Sequence, residues 1–250
     1  MKRDDLIKKI NKYLDISSFD GIDISLNGLQ VGGPNRDIKT IGFAVDACLE
    51  TIEKAIEDKI DVLIVHHGLY WGSPIAITGN FYKKIELLIN NNIDLYAAHL
   101  PLDAHMEVGN NKAMATALNL IDVEPAFNYK GLDIGVVGLL KEPLDIDEIA
   151  NILNFTNPIK LDFSNEPINK IAIVSGEGAH DVHEAKALGC QLLITGEARH
   201  SEYHYCKEEN ISMLCGGHYQ SETFGVKALA VELSKKHKLL IKFIDVPTGL

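Results

Sequence analysis

The sequence predicts an α/β protein built as two similar lobes with largely parallel sheets. Three observations carry that reading. The chain has 250 residues, enough to bury a core in one large domain or two smaller ones. Short apolar runs of strand length alternate with amphipathic helical segments, as in βαβ units. The second half also repeats the first: DVLIVHHGLYWG (61–72) parallels CQLLITGEARHS (190–201), and NIDLYAAHLPLD (92–103) parallels NISMLCGGHYQSE (210–222). In the last two segments an acid follows a histidine by four residues, His99 with Asp103 and His218 with Glu222. Any two α/β halves share a strand pattern, so the matched His-x-x-x-acid tails carry the argument for duplication. The lobes are placed at 1–125 and 126–250, with interleaving of the two allowed.

The elements follow from apolar period. Leu6, Ile7, Ile10 and Leu14 mark an amphipathic first helix, and the Gly- and Asn-rich stretch 21–37 reads as loop with one short strand at most. Strands are expected at Ile38–Val45, Val62–Val65 and Ile93–Ala98, with helices lined by Leu49–Ile56 and Phe81–Ile89 and a further helix over 109–119. Pro125 marks a break. A strand at Leu132–Leu140 and a helix at Ile146–Leu153 follow. The alternation then resumes with strands at Ile171–Val174, Leu192–Thr195, Ile211–Leu214 and Leu239–Val246. Helices over 180–188, 200–209 and 222–236 separate them.

Composition excludes several classes. Hydrophobic residues make 46%, charged residues 24%, and the mean hydropathy is +0.02, which rules out a disordered or collagen-like chain. Twenty-four Lys and Arg against 35 Asp and Glu give a net charge of −11, which repels polyanions and makes nucleic acid an unfavoured partner. The one compact basic patch is Lys235, Lys236, His237 and Lys238. Cys48, Cys190, Cys206 and Cys215 show no C-x-x-C spacing, so neither a zinc knuckle nor a redox pair is written here. The charged start, MKRDD, and the lack of an apolar run of about 20 residues point to a cytoplasmic protein with no membrane segment.

Chemistry is expected beyond the carboxyl ends of the strands, where ligands gather in open α/β sheets. Three strands run into metal-ligand residue types: His66-His67 after Val65, His99 and then Asp103 after Ala98, and His218 and then Glu222 after Leu214. Neutral imidazoles and carboxylates suit zinc, iron, manganese, nickel or cobalt. Singly, each histidine reads as an ordinary hydrogen-bonded residue. The coincidence of four histidines and two acids at equivalent strand ends is what points to metal. Adjacent His66 and His67 in extended chain would face opposite sides, so two ions sharing a carboxylate, Glu222 or Asp103, fit better than one.

Other constellations are weaker. His200 and His204 share a helix face, but the order HSEYH puts the acid one place late for a zincin motif. His180 and His183 lie in an exposed first turn. Gly176-Glu-Gly178 lacks the third glycine of a dinucleotide fingerprint, with Asp181 in its place, although the turn offers N–H groups to a smaller anion. Neither a Walker A sequence nor a Gly-x-Ser-x-Gly elbow occurs. Trp71 reads either as packing or as the wall of a base-binding pocket.

VHHGLYW at 65–71, AAHLPLDAH at 97–105 and GGHYQSETFGVKAL at 216–229 resemble the motifs of the GTP cyclohydrolase I type 2 homologues, the Ngg-interacting-factor-three-like proteins. SLNGLQVG at 25–32 and ITGE at 194–197 extend the resemblance over nearly the whole chain. It implies a dinuclear divalent-metal site in a cleft at the strand ends and a toroidal homohexamer of two-lobed subunits. Carried over by motif, His66, His67, Asp103, His218 and Glu222 would be the metal ligands. His99 ranks below them, as a residue behind the ligands or an acid–base group, and His204 falls near a histidine that family members carry after ITGE, facing the same cavity. The extra domain that larger members carry in mid-chain is missing here. The family name implies metal-dependent hydrolytic opening of a purine imidazole ring with formate release. A metal-dependent hydrolase acting on a nucleotide is therefore the first functional expectation. The alternative is a non-catalytic metal-binding ring, a scaffold or regulator that touches DNA.

Overall fold

The computed structural model describes residues 1–236 and 238–250. The basic patch expected at Lys235–Lys238 thus lies partly outside the described residues, at the Lys236 side chain and at His237. In chain order the elements are α1 Arg3–Tyr13, β1 Gly28–Val31, β2 Thr40–Asp46, α2 Leu49–Glu57, β3 Val62–His67, α3 Gly79–Asn90, β4 Asp94–Ala97, α4 Leu100–Ala104 and α5 Asn110–Ala117. They continue as β5 Ile121–Tyr129, β6 Leu132–Leu144, α6 Ile146–Ile152, β7 Ile159–Leu161, β8 Ile168–Val174, α7 Val182–Ala187, β9 Leu192–Thr195, α8 His200–Glu208, β10 Ser212–Cys215, α9 His218–Lys236 and β11 Leu240–Phe243.

The chain forms two compact units, Met1–Leu102 with Val226–Val246, and Asp103–Gly225 with Pro247–Leu250. The sequence expectation divided the chain at 125; by contacts it crosses after 102, 225 and 246, and the first unit takes its last strand from near the end of the chain.

The first unit holds a sheet in the order β1-β4-β3-β2-β11. β4, β3, β2 and β11 are parallel, and β1 closes the edge antiparallel to β4, with Gly28 opposite Ala97. The second unit has the order β5-β6-β8-β9-β10-β7, with a parallel centre, β8-β9-β10, and antiparallel flanks. The duplication read from the sequence is visible in these orders. β1-β4-β3-β2 and β7-β10-β9-β8 match, antiparallel edge included. Both faces of the central strands are covered. In β8, Ile171 and Ile173 pack with Leu192, Ile194 and Leu214 on one side, while Ala172 and Val174 pack with Leu193 and Met213 on the other. That explains why these strands read as continuous apolar runs rather than alternating ones.

The middle of the chain departs from the sequence expectation. Pro125 does not break the chain; it sits inside β5, opposite Val136. β5 is a sheet edge, where a residue without an N–H leaves no ladder bond unmade. α9 also starts four residues earlier than expected, at His218, so Glu222 lies one turn into the helix rather than at its start. The last strand is shorter than expected, Leu240–Phe243.

Candidate functional site

Parallel strands deliver their carboxyl ends to one edge of a sheet, and each unit assembles its polar side chains there. In the first unit the edge carries Asp46 at the end of β2, His66 and His67 at the end of β3, and His99 two residues past β4. Because β1 is antiparallel, the loop that precedes it arrives at the same edge and brings Asp23, Ser25 and Asn27.

The histidine pair lies within β3 rather than beyond it. His66 is fully buried, yet the two ring centroids are 4.6 Å apart and tilted by 47°, so at this strand end the alternation does not carry the rings to opposite faces. His99 lies 5.1 Å from His66 and 5.7 Å from His67 between ring centroids. The three offer ligand nitrogens within 4.8 Å of one another.

Each ring is held by its Nδ1. His66 Nδ1 donates to the Ala98 carbonyl at 3.0 Å, His67 Nδ1 to Asp46 Oδ1 at 2.8 Å, and His99 Nδ1 to Asp23 Oδ1 at 3.0 Å. This fixes the tautomer and makes Nε2 the ligand-capable nitrogen in every case, the arrangement that metal-binding histidines favour. Asp23 also accepts from Ser25 N, Asn27 Nδ2 and Leu100 N, while Asn27 Oδ1 accepts from His99 N. Burial alone would raise the Asp23 pKa. The His99 hydrogen bond and charge, with the Asn27 and Ser25 donors, outweigh it and hold the carboxyl down at about 2.

The second unit builds its cluster around the turn that follows β8. Asp103 is buried, and its Oδ1 accepts from Asn110 Nδ2 and Ser175 Oγ, both at 2.9 Å. Gly176, next along, lies against Glu222. His218 and Glu222 face the same way one helical turn apart, with Nε2 3.0 Å from Oε1, and His218 Nδ1 donates to Glu197 at 2.6 Å. The Glu222 hydrogen bond, opposed by burial and aided by the charges of Glu222 and Glu197, pushes the His218 pKa up to about 9. A half-buried imidazole and a buried carboxylate sharing one proton suit a divalent cation in that proton's place.

Other expectations fare differently. His200 and His204 are exposed on α8 with their rings 6.4 Å apart. The Gly176–Gly178 turn does not offer these two N–H groups to an anion, because Gly176 N donates to Ser221 Oγ and Gly178 N to Thr195 Oγ1. Asp23, Asp46, Asn110, Ser175 and Glu197 were missed as site residues. For Asp46 and Ser175 the signal was available, since both stand at carboxyl ends of parallel strands.

Gly176 gives a direct test of this packing. Its φ is +63°, and a Cβ there would stand 2.6 Å from Glu222 Oε1. Gly176→Ala therefore meets both left-handed strain and a collision with the carboxylate. The expected result is a loss of about 1–2 kcal/mol in urea unfolding, together with weaker metal binding in a competition titration. Unchanged values in both would remove Glu222 from this position.

The molecule is thus a duplicated α/β protein whose parallel strands end in clusters of imidazoles and carboxylates. It belongs to the Duf34/NIF3 (NGG1p interacting factor 3) family, whose model matches residues 1–248. The chain is similar to the "GTP cyclohydrolase 1 type 2 homolog" of Pyrococcus abyssi, 42% identical over 254 residues and covering 100% of both chains. It is also similar to the protein of the same name from Deinococcus radiodurans, 41% identical over 99% of this chain and 94% of that one. Among solved structures, TTHA1606 from Thermus thermophilus matches with a TM-score of 0.91 and 39% identity, over 100% of each chain. Among the described residues no helix is long and apolar enough to cross a membrane.

Proposed function

We propose that the protein is a dinuclear divalent-metal-dependent hydrolase acting on a nucleotide or a related heterocycle. His66, His67, Asp103, His218 and Glu222 would hold the ions, drawn from zinc, iron, manganese, nickel or cobalt. The observation that carries this reading is the anchoring of His66, His67 and His218 through Nδ1 to a carbonyl, Asp46 and Glu197, which orients Nε2 as a ligand. When bound, such ions lower the pKa of a coordinated water and stabilise developing negative charge. His99 serves as the acid–base group: Asp23 holds its Nδ1 proton, so Nε2 is the nitrogen that accepts or gives a proton. Opening of a purine imidazole ring with formate release is the form that the relatives' name suggests. We further propose a homohexameric ring in the cytoplasm, a state supported by exposed Ile24, Leu26, Ile75 and Ile77 in the first unit and tested by light scattering.

Incubating the metal-loaded protein with a panel of nucleotides and following products by mass spectrometry tests the reading. The expected result is a hydrolysed heterocycle, abolished by chelation and restored on reloading. Duplex DNA should bind only weakly near 150 mM salt, because the net charge of −11 opposes it. No altered nucleotide, combined with tight DNA binding that survives chelation, would replace the hydrolase by a scaffold.

A further inference from the structure

The protein contains one tryptophan, and it stands at the histidine cluster. Trp71 lies 5.1 Å from His99 and 5.7 Å from His67 between ring centroids, at interplanar angles of 76° and 50°. Neither contact is a parallel stack. A tryptophan whose job is packing is largely buried, yet this one is 39% exposed. It is nevertheless held: the indole Nε1 donates to the Gly68 carbonyl at 3.2 Å, and its backbone forms an antiparallel bridge with Ser25. The neighbouring hydrogen bond from Leu26 N to the Tyr70 carbonyl, 3.0 Å, ties the same two loops.

Ser25 supplies the second observation. Residues opposite each other in an antiparallel bridge set their side chains on the same face, so Ser25 and Trp71 share one. The serine is only 6% exposed, and its Oγ has no hydrogen-bond partner among the described residues. A buried hydroxyl without a partner costs stability unless something else satisfies it. Its backbone is committed elsewhere, the N–H to Asp23 Oδ1 at 2.9 Å and the carbonyl to Asn27 Nδ2 at 3.4 Å. An exposed aromatic platform and an unpartnered hydroxyl on the same face are the parts of a site for a flat heterocycle.

We propose that Trp71 and Ser25 form the recognition element for the substrate's heterocyclic base, Trp71 stacking on its face and Ser25 Oγ hydrogen-bonding its edge. The inference rests on the hydrolase reading for its substrate class, but it concerns binding and is read without turnover. Phosphate groups play no part in it, so a nucleoside carries the determinant and an inorganic phosphate chain does not.

The single tryptophan makes the test direct, because all indole emission comes from the proposed platform. The full chain loaded with Zn²⁺, which does not itself quench, is titrated with guanosine, with GTP and with inorganic tripolyphosphate. Guanosine and GTP are expected to quench the emission, and tripolyphosphate is not. By calorimetry, Trp71→Leu should weaken guanosine binding roughly tenfold or more, and Trp71→Phe should recover most of that loss. Ser25→Ala should cost roughly three- to tenfold. Equal quenching by tripolyphosphate, or unchanged guanosine affinity in Trp71→Leu, overturns the proposal even if the enzyme turns over GTP. Nucleoside binding with the expected variant pattern but no turnover of any nucleotide upholds it while removing the hydrolase reading.

Discussion

Asp94→Ala is expected to lower the unfolding free energy of the first unit by about 3–5 kcal/mol. Asp94 opens β4 and is 2% exposed. Its Oδ1 lies 3.2 Å from the Arg3 guanidinium and accepts from Gly33 N at 3.1 Å, and its Oδ2 meets Arg36. Arg36 is partly exposed and also donates to the Asp61 and Asn92 carbonyls, so water and those oxygens can satisfy it. Arg3 cannot escape so easily. It is 5% exposed, and without Asp94 its buried charge keeps, among the described residues, Asp4 and the Gly33 carbonyl. Most of the expected loss is the cost of that stranded cation rather than the worth of the pair. A double variant, Arg3→Met with Asp94→Leu, should therefore regain most of the stability that Asp94→Ala loses. Because the chain has two compact units, the loss is read from the transition that reports the first one. A loss below 1 kcal/mol would mean that the pair is screened like a surface salt bridge.

This cluster shows where sequence reading stops. Asp94 comes from a strand, Arg3 from a helix and Arg36 from a loop. Asp94 stands 58 residues from Arg36 and farther still from Arg3, and no local period marks them as partners. What was legible is what periodicity encodes. Leu192–Thr195 is a strand over the expected residues, because its apolar run is bounded by Gln191 and Gly196 and buried on both faces. The match between the halves was legible too, since it lies in strand-end residues that duplication leaves in register. β5 was not, because its residues are mostly exposed and a proline sits inside it; an edge strand needs neither a continuous apolar run nor every N–H. At the site, histidines announced themselves at strand ends, whereas Asp23 and Asn27 did not. They reach the same edge only because β1 runs antiparallel to β4, a fact of pairing rather than of composition.

Refolded without chelator and reloaded, the protein is expected to bind close to two equivalents of divalent metal by elemental analysis. His67→Ala and Glu222→Ala should each lose at least one equivalent, while Asp46→Ala and Glu197→Ala should keep the stoichiometry at saturating metal and lose roughly 10–100-fold in affinity. The difference follows from their places. Asp46 and Glu197 hold a histidine by Nδ1 and so tune its orientation and basicity, but a loosened imidazole still binds. His67 and Glu222 are the proposed ligands, so their removal takes donor atoms from the ions directly. Affinity should also fall in acid, because an imidazole must lose its proton to coordinate. His200→Ala and His204→Ala serve as controls, since both are exposed on α8, and should leave the metal content unchanged. If His67→Ala and Glu222→Ala retained full metal content while His204→Ala lost it, the ligands would lie on α8 and the strand-end assignment would be wrong.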